Sequence, residues 1–195
     1  MNSLGKLPSS QHARKPRSNG RGTRIAVAVM LAFVLAVGLI GCKENAPAPS
    51  GNSTDARTLM AEAMTHFHAR STELLGPERE RLLNEAAQRY NELLKRFPLE
   101  TNLCAQALRA LGSIHATQGK TNEAVKLYAA VGEKYPSQDW EVLQAWKAAG
   151  DLRWEEHERE DAKKFYSKIV ERFGKMDAPQ IIQQVVRGSK ARMTE

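Results

Sequence analysis

Three stretches decide how this chain folds: EAAQRYNELLKRFP (residues 85–98), EAVKLYAAVGEKYP (123–136) and DAKKFYSKIVERFG (161–174). They align at a constant offset of 38 residues, so that Ala86, Ala124 and Ala162 correspond, as do Tyr90, Tyr128 and Tyr166. Leu93, Val131 and Ile169 form a third set, and Phe97, Tyr135 and Phe173 a fourth. Upstream of the second and third stretches, Gln106, Ala107, Arg109, Ala110 and Gly112 match Gln144, Ala145, Lys147, Ala148 and Gly150 at the same offset. A period of this size marks a repeat architecture in which each unit is one supersecondary element.

Within a period the apolar residues recur every three to four positions. Leu103, Ala107, Leu108 and Leu111 make one helical stripe, and Ala124, Leu127, Tyr128 and Val131 a second. Between them Gly119 suits a helix C-terminus and Thr121 an N-cap, and Pro136 stops the second helix. Each unit therefore reads as a helix pair. The small residues Ala107, Gly112 and Ala124 let the paired helices approach, with aromatic rings filling the space beside them.

The middle unit resembles a tetratricopeptide repeat, with the signature W-x₂-L-G-x₂-Y, A-x₃-F and a closing P. Here it takes the form Leu108-x₂-Leu111-Gly112-x₂-His115, Ala124-x₃-Tyr128 and Pro136. The third unit supplies Trp146-x₂-Ala149-Gly150-x₂-Arg153 and Ala162-x₃-Tyr166, with Gly174 in place of Pro. The first keeps Ala86-x₃-Tyr90 and Pro98, while its leading helix, about residues 56–75, lacks the Leu-Gly pair. Each period exceeds the family's by four residues, inserted after the closing proline. Repeats with that link are similar to those of cell-envelope lipoproteins and periplasmic proteins of barrel assembly and the Tol–Pal system. The resemblance implies an all-α solenoid of about three helix pairs over residues 55–188. Ile181, Ile182, Val185 and Val186 follow Pro179 as a capping helix, and residues 189–195 read as a polar, fraying tail.

Charge is divided sharply along the chain. Six of the 29 Lys and Arg residues lie in residues 1–42, which hold no Asp or Glu, so residues 43–195 carry 23 cations against 22 carboxylates. A sequence-independent nucleic-acid footprint needs a clustered basic face on the folded domain, and this balance offers none. The basic N-terminus precedes the apolar run Ile25–Ile40, the layout of a secretory signal. The next residues, Leu39-Ile40-Gly41-Cys42, resemble a bacterial lipobox, which implies a signal peptide over 1–41 and lipidation of Cys42. The alternative is an uncleaved signal anchor with Cys42 as an incidental thiol. Several acyl chains on one residue anchor durably, where one chain binds marginally. Lys43, where enteric lipoproteins retained at the inner membrane carry Asp, implies the outer membrane. Residues 42–54, rich in Pro, Ala, Ser and Gly, read as a flexible tether.

No catalytic constellation, phosphate-binding glycine loop or zinc-spaced Cys/His set occurs in the sequence, so neither a cofactor nor a small-molecule substrate is expected. His66 and His68 are two apart, and on a helix such residues do not face each other. Cys104 reads as a buried thiol, with intermolecular pairing in an oxidising envelope as the alternative. The resemblance implies that the first helix of each unit lines a partner groove. Its inward positions fall on Arg109, Ser113 and Ala116, then on Lys147, Asp151 and Trp154. Arg109 and Lys147 would set two cations side by side, either for a ligand or as a solvated face, and the Asn partners of the family's carboxylate clamp are missing. Trp140 and Trp154 read equally as groove anchors or as packing residues. The expectation is a lipid-anchored, non-catalytic adaptor for protein or peptide partners. Its rivals are a signal-anchored inner-membrane chaperone-network protein and an accessory subunit of a peptidoglycan enzyme.

Overall fold

A computed structural model describes residues 51–175 and 177–195, with only the backbone of 51–54. The signal over 1–41, Cys42 and the tether as far as residue 50 lie outside the described residues. Helix α1 (Gly51–Glu62) runs directly into a π-helical segment, π1 (Ala63–Ala69). There follow α2 (Gly76–Arg96), α3 (Thr101–Thr117), α4 (Thr121–Lys134), α5 (Asp139–Glu155), α6 (Arg159–Phe173) and α7 (Gln180–Thr194). Among the described residues no strand interrupts them and no helix is long and apolar enough to cross a membrane.

Neighbouring helices pack in chain order, the arrangement of a quasi-one-dimensional solenoid. Three pairs result, α1/π1 with α2, α3 with α4 and α5 with α6, and α7 lies against α6. The helix boundaries of α3 and α5 are themselves 38 residues apart, so the sequence period is a structural one. Turns obey it as well. Gly119 closes α3 with φ +74°, and His157, one period later, holds the same left-handed conformation at φ 65°. Histidine enters that region more readily than branched residues, at some cost in strain.

Two apolar clusters meet on α3. Its Cys104, Ala107, Ala110, Leu111 and Ile114 join α1 and α2 in an N-terminal cluster. Ala105 and Leu108, from another face of the same helix, join α4 to α7 in a C-terminal cluster. Leu94, Leu127 and Tyr135 pack against both. Cys104 is fully buried and donates its thiol hydrogen to the Phe97 carbonyl at 3.2 Å, and burial pushes its pKa up.

The structure departs from the sequence expectation at both ends. Helix begins at Gly51, inside the stretch read as tether, and the leading helix of the first unit is broken by the π turn before Ser71. At the C-terminus the expected fraying tail is helix through Thr194. Ser189 is 3% exposed and its hydroxyl donates to the Val185 carbonyl at 2.9 Å, while Met193 packs on the C-terminal cluster. The segment looks polar in composition because its inward positions are one serine and one methionine rather than aliphatic residues. Their four-residue spacing continues the stripe from Val185 along the buried face of α7.

Candidate functional site

The leading helices α3 and α5 carry the residues that could meet a partner. On α3, Arg109 and Ser113 are four apart and share a face; on α5, Lys147 and Asp151 repeat them. Behind each pair runs a tyrosine from the second helix of the same unit. The approach depends on glycine: a Cβ on Gly112 would lie 2.6 Å from Tyr128 Cε1, and one on Gly150 2.7 Å from Tyr166 Cε1. With hydrogen in that place the ring slides against the helix and its hydroxyl reaches the residue that follows the glycine. Tyr128 thereby bonds Ser113, and the Tyr166 hydroxyl donates to Asp151 Oδ1 at 2.9 Å. The first unit solves the same problem with another residue, Tyr90 OH hydrogen-bonding His68 Nδ1 at 3.2 Å. The three rings are at most 3% exposed, and burial pushes the Tyr128 hydroxyl pKa up to about 12.

The expected pair of cations does not stand free. Arg109 Nε donates to Glu141 Oε2 at 2.6 Å, an ion pair that joins α3 to the start of α5. Its side chains are 25% and 9% exposed, so both charges are largely withdrawn from water and each needs the other. Lys147 pairs with Asp151 on its own helix, both side chains being well exposed. The two equivalent positions thus differ. Arg109 is an internal bridge between units, neither a cation free for a ligand nor part of a solvated face, whereas Lys147 remains at the surface with a weak intrahelical partner. Ser113 is half-buried at the seam between them.

Trp154 is not open as an anchor either. The Arg159 guanidinium lies 3.5 Å and that of Arg192 4.6 Å from its ring centroid, and Tyr166 packs at 6.3 Å. Arg192 belongs to α7, so Trp154 is a seat for the last helix rather than a free surface. Trp140, at 37% exposure, is the more accessible tryptophan, while Trp146 packs in the space that Gly132 leaves, its Nε1 at 2.6 Å from where a Cβ would stand. Ala116 packs on the C-terminal cluster.

Glu141, paired with Arg109, and His68, bonded to Tyr90, are polar contacts that do not follow from the repeat alignment. Glu141 is the one carboxylate among the described residues that is buried, and its only signature in the sequence is an acid set between Trp140 and the apolar pair Val142-Leu143. His68 belongs to the poorly matched leading helix of the first unit. Its pKa is lowered to about 4 by burial and, secondarily, by the Arg109 cation. No group of His, Cys, Asp and Glu side chains able to hold a metal ion occurs among the described residues.

Residues 106–137, from within α3 to just beyond α4, match the family model of the tetratricopeptide repeat. That is the middle unit, where the sequence signature is most complete. No curated protein matches the chain. Helix pairs, period, the tyrosine against each recurring glycine and the family match together define a tetratricopeptide-like, all-α solenoid.

Proposed function

We propose that this protein is a non-catalytic scaffold that binds protein or peptide partners, held to a bacterial cell envelope through lipidated Cys42. The tetratricopeptide match over residues 106–137 carries the scaffold reading, since such repeats present stacked helix faces to extended ligands. The envelope reading rests on the Leu39-Ile40-Gly41-Cys42 run behind an apolar segment, with Lys43 favouring the outer membrane. On the domain, the face of α3 and α5 offers Ser113, Lys147 and Trp140 beside charges already neutralised within the chain. Such a face suits hydrogen bonding and stacking with a peptide better than capture of a strongly acidic group.

Two measurements test the reading separately. Intact mass of the membrane-extracted protein should show a chain that begins at lipidated Cys42, and Cys42→Ser should remain unlipidated; a full-length unmodified wild type rejects the anchor. Affinity capture from detergent-solubilised membranes should recover discrete partners that the Lys147→Ala/Trp140→Ala variant loses while keeping its circular dichroism. Identical captured sets would reject this face as the partner surface.

A further inference from the structure

Within the first unit a titratable histidine is bonded to a buried tyrosine. His68 sits in π1, an unusual helical turn of the kind that recurs at functional positions. Its Nδ1 meets the Tyr90 hydroxyl of α2, and the two rings pack edge to face with centroids 5.9 Å apart. From α3 the Arg109 cation acts on both His68 and Tyr90. Arg109 is itself paired with Glu141 of α5. Of the other charges on the neighbouring elements, Glu62 at the end of α1 pairs with Arg89 of α2, while His66 on π1 and Arg70 at its end are exposed.

We propose that His68 and Tyr90 form an acid-sensitive latch, which holds π1 against α2 and releases it when His68 takes up a proton. A proton on the imidazole leaves Nδ1 unable to accept the Tyr90 hydroxyl hydrogen and adds a cation within the field of Arg109, while the ring is half-buried against α2. Release of π1 relieves the conflict by letting the imidazolium reach solvent.

The direction of the pH dependence follows from linkage. His68 protonates at about 4 in the folded chain and near its ordinary 6.5 once released. Between those values the released state binds the extra proton, so the folded arrangement loses ground as pH falls, about tenfold in the opening equilibrium per pH unit. Above 6.5 the histidine is neutral in both states and contributes no slope.

The test is hydrogen exchange, followed by mass spectrometry, on the detergent-solubilised full chain from pH 6.5 to 4.5. Rates are corrected with an unstructured reference peptide. Protection over Ala63–Ala69 should fall by about tenfold per pH unit while that of α6 stays constant. His68→Asn, which keeps a polar group near the Nδ1 position without the titration, should flatten the profile. The same slope in both proteins, or a loss shared equally with α6, overturns the latch. If His68→Asn does not fold, the imidazole proton resonances of the wild type decide. A His68 titration in step with the loss of protection supports the proposal, and one complete near pH 6.5 with π1 still protected overturns it.

Discussion

Gly112 and Gly188 are both helical glycines, yet their surroundings are opposite. Tyr128 fills the space above Gly112 and is held there by Ser113, whereas nothing lies within 4 Å of a Cβ built on Gly188. Alanine is the better helix former by about 1 kcal/mol, so the sign of each substitution depends on room. Gly188→Ala should raise stability by about 0.5–1 kcal/mol. Gly112→Ala should lower it by about 1–2 kcal/mol, because a buried ring must shift against its own hydrogen bond. Urea midpoints of the two variants, moving in opposite directions, check both. Charge at the equivalent residues Arg109 and Lys147 divides in the same way. Arg109→Ala leaves Glu141 buried without its partner and should cost about 1–3 kcal/mol. Lys147→Ala removes an exposed intrahelical pair and should cost less than about 0.5 kcal/mol. Equal losses would show that the bridge contributes no more than a surface pair.

At the scale of elements, α7 shows how a solenoid is ended. It buries Val186 and Ser189, packs Ile182, Val185 and Met193 on the preceding pair and turns Gln184, Arg187 and Lys190 to water. Arg192 reaches the Trp154 ring, so the last turn of α7 closes over a tryptophan of α5. Removal of residues 189–195 should therefore lower stability by about 1–3 kcal/mol, the loss of one partly buried methionine with its aromatic–cation contact. The tryptophan emission of the truncated chain should also shift to the red as Trp154 becomes wet. A tail that merely frayed would change neither property. At the opposite end α2 starts two turns before its counterparts, and the π turn in front of it gives the first unit its different partner for Tyr90.

For the molecule as a whole, coupling between the two apolar clusters passes through few side chains. Leu127 packs on both, and all three tryptophans lie in α5, on the C-terminal side. Fluorescence therefore reads the C-terminal cluster, whereas circular dichroism reads every helix. In a solenoid, cooperativity depends on nearest-neighbour interfaces. The wild-type urea transitions should coincide by both probes, and Leu127→Ala should pull the dichroism transition to lower urea than the fluorescence one. Coincident transitions in the variant would mean that α3, whose side chains contribute to both clusters, suffices to join them.

The period, the helix pairs and the glycine positions where helices close up are local properties: they depend on spacing along one helix and on the steric size of a residue, and a linear reading reaches both. Gly112 with Tyr128 and Gly150 with Tyr166 are legible because both partners recur at the same offset. The charge pattern is not of that kind. Arg109 and Lys147 occupy equivalent places, but which carboxylate meets each depends on how α5 is rotated against α3, and a 3.6-residue repeat carries no record of that angle. The same holds for Trp154 beneath Arg192, for the inward serine of α7 and for His68 against Tyr90. Spacing determined the repeat; only the packing of one unit on the next decided which of its polar residues are free to meet a partner.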